Sequence, residues 1–346
     1  FGGAHVGPNQ GWAIGNGDQF TEKSALLDPQ SLPINLKQVM GKAMMVTESG
    51  WVSPNGRSVE SPFLIAAYQS VTGVDGFFFF AFSDEGFSRP QSANGYMPSL
   101  AKWSMSTPDV LGQFPAAAWI YRKGLVRKAD PAVVERRALD DLWRRKNAVI
   151  QEESGFDPNR DAGNLPPRSN VKSPLPWQAF LVGPVLVEYD ADPSRTEVTD
   201  LARWVDARKQ VVTSSTGELS LDYRRGVCVL NAPQAQGAAA FFESSPTIQT
   251  KDLTITCQNE HAVVLAVALD DQPLAQSRRV LIQVGTPSRP KDWRVKPATV
   301  TLEKSRVEGF VIEDYGKPPW MIEQPRVHVS LANTVLSRAT ALDPNG

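Results

Sequence analysis

The residues best suited to chemistry lie between Lys42 and Phe82. Ala43-Met44-Met45-Val46-Thr47 is a short apolar run without polar alternation, which predicts a strand covered on both faces, as in parallel sheets. It leads straight into Glu48-Ser49-Gly50-Trp51. A carboxylate at the carboxyl end of such a strand can attack the anomeric carbon of a sugar, or stabilise the oxocarbenium ion electrostatically. Ser49 would lie beside it as a substrate contact, and Trp51 offers a stacking face. A second apolar run, Gly76–Phe82, leads to Ser83-Asp84-Glu85-Gly86. Asp84 and Glu85 would either accept hydrogen bonds from substrate hydroxyls or form an exposed loop after the strand.

These groups need elements to hold them. Pro54-Asn55-Gly56 is a turn signal, the segment from about Glu60 to Val71 reads as a helix, and Gly73 closes it. Strand, polar tip, helix, strand and polar tip make a parallel β/α unit, whose chemistry sits where the strands' carboxyl ends meet the loops. Other candidate contacts lie in loops of the same region: His5, in Gly2-Gly3-Ala4-His5-Val6-Gly7, and the indoles of Trp12 and Trp103. Each of these has an equally simple structural reading, as a buried histidine or a packed ring.

Bulk composition narrows the function class. The 346 residues suffice for two or three domains. Lys and Arg number 36 against 37 Asp and Glu, a formal net charge of −1, so neither a basic stripe for nucleic acid nor an acidic tail is present. The longest apolar runs fall short of the ~18–20 residues a membrane span needs. Three histidines and two cysteines match no zinc spacing. Neither a metal nor an organic cofactor is expected. Cys228 and Cys257 both lie in strand-like runs and would be either a cross-sheet pair or two buried thiols. Phe1-Gly2-Gly3-Ala4-His5 is neither an initiator methionine nor a secretion signal, and Ala341–Gly346 stops on a turn sequence directly after a strand pattern, so both chain ends read as cut.

Residues 1–125 read as α/β, including a helix from Phe114 to about Arg122 that stops at Gly124. Residues 126–172 read as a connector, with a short helix near Leu139–Arg145 and a polar, proline-bearing stretch after it. Residues 173–346 carry short strand candidates separated by Gly, Asn, Asp and Pro, the texture of a β-sandwich. The loops Thr213–Leu219 and Asn231–Gly237 read as structural turns. No GxGxxG, P-loop or GxSxG motif is present.

The segment Gly41–Trp51, with the aromatic run ending at Asp84, resembles the last strands of clan A glycoside hydrolases, which are (β/α)₈ barrels with cellulase-like and β-galactosidase-like members. The resemblance implies that Glu48 ends strand seven as the nucleophile, that Phe77–Phe82 is strand eight, and that Phe1–Phe20 follows or includes strand six. The expected fold is therefore α/β plus all-β: the C-terminal strands of a barrel, then a sandwich. The expected function is retaining hydrolysis of O-glycosidic bonds in a poly- or oligosaccharide. The acid/base carboxyl would come from an N-terminal portion of the same protein, since the clan's Asn-Glu on strand four has no counterpart here. An extracellular or periplasmic location goes with the family. The competing expectation is a non-catalytic carbohydrate-binding or assembly protein.

Overall fold

The computed structural model describes residues 2–7, 13–81, 100–146, 148–150, 174–302 and 305–342. Its first α/β unit runs β1 (Met45–Ser49), α1 (Ser61–Thr72) and β2 (Gly76–Phe79). All twelve residues of α1 are buried, as expected of a helix apolar on every side. Its polar side chains turn inward on its own backbone: Ser70 Oγ donates to Ala66 O and Thr72 Oγ1 to Tyr68 O. Pro62 occupies the first turn, and Gly73, at φ +72°, ends the helix by donating its N–H to Gln69 O.

β1 and β2 pair in parallel, with Met45 opposite Gly76, Val46 opposite Phe77 and Ser49 opposite Phe79. Between Val46 and Ser49 the register shifts, so β1 carries one residue more than its partner at Thr47–Glu48. The two-sided cover expected for β1 is not found among the described residues. Only Val46 is buried, and Met45 is 54% exposed. The reason is visible in β2. Phe77 and Phe79 turn toward the helices, with the Phe79 ring 5.2 Å from Phe114 at the start of α2 (Phe114–Lys123), whereas Phe78 turns away and is 56% exposed. One face of the strand pair is packed and the other is open.

Two stretches are organised differently from the expectation. The described part of residues 1–20 is antiparallel: His5–Val6 pairs with Gln19–Phe20, and Ala13–Ile14 with Leu100–Ala101. Gln19–Phe20 also pairs with the long strand Ser305–Asp314. Phe20 drives this, since its buried ring lies 5.5 Å from Phe310 and 6.2 Å from Trp293. The segment read as a connector contributes β3 (Val133–Arg137), parallel to β4 (Val185–Tyr189), which is parallel in turn to Gln38–Val39. Buried Glu135 in β3 pairs with Lys37 and accepts the Val149 N–H, holding the strand to both flanks.

The second half is built on a seven-stranded antiparallel sheet. It orders as Val205–Asp206, Val211–Thr213, β5 (Leu219–Asp222), β6 (Val227–Asn231), β7 (Ala235–Phe241), β9 (His261–Ala268) and β10 (Val280–Gly285). The intervening β8 (Leu253–Cys257) belongs to a three-stranded sheet with Thr247–Gln249 and Val327–Leu331. Every residue of β9 is buried. Val263, Leu265 and Val267 join a core with α1 and α2, while Ala262, Val264, Ala266 and Ala268 join one with β8. The first core takes in residues from Ala25 to Val267, so the two halves of the chain share it. Among the described residues no helix is long and apolar enough to cross a membrane.

Gly237 sits mid-strand in β7 at φ +155°, and a Cβ there would lie 2.1 Å from Val264 O on β9. Gly237→Ala is therefore expected to destabilise the chain by about 2–3 kcal/mol, the scale of core overpacking. The check is a lower urea midpoint at an unchanged m value.

Candidate active site

The carboxyl ends of β1 and β2 carry the carboxylate that the sequence singles out. Glu48 is exposed at the extra residue of β1 and makes no hydrogen bond or ion pair with another described residue. Bulges of this kind re-aim a side chain out of the strand's alternation, which is why Thr47 and Glu48 are both exposed in succession. The end of the pair is then tied to a third segment. Phe80 N–H donates to Ser49 O at 2.8 Å, Ala81 N–H to Trp103 O at 2.8 Å, and Met105 N–H to Ala81 O at 2.8 Å. The Trp103 ring stands edge-on to Phe80 with centroids 6.3 Å apart, and the Lys102 ammonium lies 5.6 Å above it. Burial holds that ammonium below its usual range. Glu48, Ser49 and Trp103 are thus gathered at one strand end, beside the exposed Phe80.

Trp51 is corrected by the structure. Its ring is 1% exposed and has no free face for a ligand; its Nε1–H donates to Glu60 Oε1 at 3.1 Å. His5 is likewise enclosed. Its side chain is 1% exposed, with Nε2 2.9 Å from Asp18 Oδ2, an oxygen that also accepts the Gly15 N–H. A ring so covered offers no nitrogen to a substrate. Trp12 and Asp84 lie outside the described residues.

Sequence reasoning missed the buried network behind the strand end. Glu60, fully enclosed at the foot of α1, accepts from Ser24 Oγ at 2.6 Å, Ala25 N–H at 2.6 Å and Trp51 Nε1–H. His261, also fully enclosed, heads β9 with Nε2 3.2 Å from Glu60 Oε2. A signal existed for the histidine: it is one of three in the chain and opens a run of eight residues that is otherwise wholly apolar. Glu60 gave none, because a glutamate preceding Ser-Pro reads simply as a helix start.

Cys228 and Cys257 are free and buried. Burial pushes the Cys228 thiol up, and the hydroxyl of Tyr68, to which it is hydrogen-bonded, is pushed up as well. The Cys257 thiol is raised for the same reason. Among the described residues, no group of three or more His, Cys, Asp or Glu side chains is arranged to hold a metal ion. Comparison with protein-family models, curated proteins and solved structures returned no match for this chain.

Because both thiols are enclosed and their ionisation is shifted upward, neither forms a thiolate at mildly alkaline pH in the folded state. A disulfide-exchange reagent at pH 8 is expected to leave the native chain unlabelled and to titrate both cysteines once denaturant is added. Rapid native labelling would contradict the packing described.

Proposed function

We propose that this chain is the C-terminal part of a retaining glycoside hydrolase acting on O-glycosidic bonds, with Glu48 as its nucleophile. The observation that carries the reading is the exposed carboxylate at the bulged carboxyl end of a parallel strand pair, beside the aromatic edge of Phe80 and Trp103. In the first step a Glu48 oxygen attacks the anomeric carbon as the bond to the leaving oxygen breaks, and an acid carboxyl protonates that oxygen. In the second step the same carboxyl, now ionised, takes a proton from water. The resulting hydroxide displaces Glu48 and frees the sugar. Trp103 would stack on the sugar ring and Ser49 would hydrogen-bond to it.

The acid carboxyl must stand about 5–5.5 Å from the nucleophile. We assign it to further β/α units from an N-terminal portion of the same protein, which would close the barrel. Support comes from the unfinished state of the strand pair. Two-stranded parallel sheets with open edges are rare, because parallel sheets need cover on both faces. Among the described residues the pair forms a sheet of two strands, and Met45 and Phe78 are exposed. A groove of about 290 Å³ runs between β2 and the helices, lined by Phe77, Phe79, Phe114, Ala118, Tyr121 and Arg122 among others. Its size and apolar walls suit side chains of an added β/α unit. The seven- and three-stranded sheets would be the trailing β-sandwich.

Glu48→Gln in the complete polypeptide is expected to lower turnover of an activated aryl glycoside at least about a thousandfold, the scale on which a catalytic set loses one member, with binding retained. Unaltered turnover would reject Glu48 as the nucleophile, whereas glycan binding without any turnover in the parent protein would favour a carbohydrate-binding module. Phe78→Ser is expected to change the stability of this chain by no more than about 0.5 kcal/mol, as surface substitutions do. In the complete polypeptide it should depress turnover, because the added strand would pack on that ring. Equal effects in the short and complete polypeptides would count against barrel closure.

A further inference from the structure

The hydrolytic steps above make no use of Glu60 or His261, yet both are wholly enclosed and of opposite type. Their location is informative. Glu60 receives the indole N–H of Trp51, and Trp51 lies only two residues beyond the last residue of β1. Gly50, between them, has no slack: a Cβ there would lie 2.7 Å from Met105 Sδ and 3.1 Å from Phe80 O. On the strand side, Ser49 O is held by Phe80 N–H. Among the contacts that hold the main chain beyond Glu48 is a directed bond from the Trp51 indole to a Glu60 carboxyl oxygen, beside the Ser53 N–H to Lys102 O bond at 3.0 Å. His261 reaches that carboxylate from β9, in a different sheet. Among the described residues neither ring nitrogen of His261 has a hydrogen-bond partner, and its Nε2 packs 3.2 Å from Glu60 Oε2.

We propose that Glu60 is a positioning residue for the Glu48 nucleophile, acting through Trp51, and that His261 ties this anchor to the seven-stranded sheet. The inference rests on the assignment of Glu48 as nucleophile. It gives the β half of the chain a part in the reaction: β9 braces the element that aims the carboxylate. The other groups facing the pair are Ser24 and the Ala25 amide on the preceding loop, Arg57 over the Phe241 ring, that ring itself 4.8 Å from His261, and Cys228 on β6. Ser24, Ala25 and Trp51 supply the hydrogen-bond donors to the Glu60 carboxyl oxygens. A displacement of the nucleophile by about 1 Å is enough to cost about a hundredfold in rate.

The test uses the complete polypeptide and fluorinated dinitrophenyl glycosides of glucose, galactose, mannose and xylose. With these probes a nucleophile oxygen bonds to the anomeric carbon as dinitrophenolate leaves, and the glycosyl-enzyme then persists. Dinitrophenolate needs no proton from an acid, so the readout is of the nucleophile alone. In the parent protein, mass spectrometry should find the sugar on the peptide bearing Glu48. Trp51→Phe keeps a ring and removes the N–H donor, while Glu60→Gln and His261→Gln weaken the anchor from behind. The first-order trapping constant is expected to fall about 10- to 100-fold in Trp51→Phe, and less in the other two, with the half-saturating probe concentration unchanged. Trapping at the parent rate in Trp51→Phe and Glu60→Gln, with only their thermal midpoints lowered, would overturn the positioning role and leave the nucleophile assignment standing. Absence of label on Glu48 in the parent with all four probes would overturn the assignment and this inference together. Should Glu60→Gln fail to fold, Trp51→Phe alone decides, a parent-like trapping constant there being sufficient to reject the proposal.

Discussion

A sheet buried on both faces has to satisfy two cores with one alternating set of side chains, and β7 and β9 are built under that constraint. Their residues divide strictly by parity. On β9, the odd positions Val263, Leu265 and Val267 face the helices, and the even positions Ala262, Val264, Ala266 and Ala268 face the three-stranded sheet. The cost of serving two cores is size. β7 is Ala-Gln-Gly-Ala-Ala-Ala-Phe, small enough for neighbouring layers to approach. A one-residue slip would exchange the two cores wholesale, so register in this sheet is strongly determined. The α/β unit leans on it: α1 and α2 bury their apolar surface against its near face, and Trp119 Nε1–H donates to Ala268 O at the end of β9.

Polar ties complete the joint between the halves. Asp109 accepts from Ser58 Oγ and Ser288 Oγ at 2.5 Å each, and Arg289 donates to Glu22 and to Pro54 O at 2.6 Å. Deepest is Glu60. Moving a carboxylate out of water costs several kcal/mol even after relaxation. Each hydrogen bond to a charged group contributes about 1.5–3 kcal/mol. Three donors, from Ser24, Ala25 and Trp51, are therefore of the right magnitude to offset the burial of a carboxylate, and His261 Nε2 packs 3.2 Å from it. Such a site tolerates little movement, and through Trp51 that rigidity extends to the end of β1.

Local elements were legible to within a residue where a glycine stop signal existed. The helix expected from about Glu60 forms at Ser61–Thr72 and ends at Gly73; the one expected to stop at Gly124 forms at Phe114–Lys123. The parallel sense of β1 and β2 also followed from the strand–helix–strand order. What failed was the inference from apolarity to cover. Met45 and Phe78 are as apolar as their neighbours, but alternation in the pair turns them to the open face. Long-range pairing was invisible as well. Nothing local in Gln19-Phe20 indicates that it joins a strand some 290 residues away, and Val133–Arg137 was hidden by its charged and β-branched mixture in a stretch otherwise resembling a linker.

Side-chain type and spacing by themselves determined which groups could do chemistry, because a carboxylate after an apolar run is a property of adjacent residues. They determined where helices stop, because glycine's access to positive φ is intrinsic. Exposure was decided by the tertiary structure alone, since it depends on residues far away in the chain. The same structure left Glu48 open through a bulge, closed Trp51 and His5 inside cores, and brought Trp103 to the strand end by a backbone hydrogen bond from Ala81, earlier in the chain. Only folding could join Glu60 to His261, some two hundred residues apart, because one precedes α1 and the other heads β9, and these elements meet only in the core the two halves share.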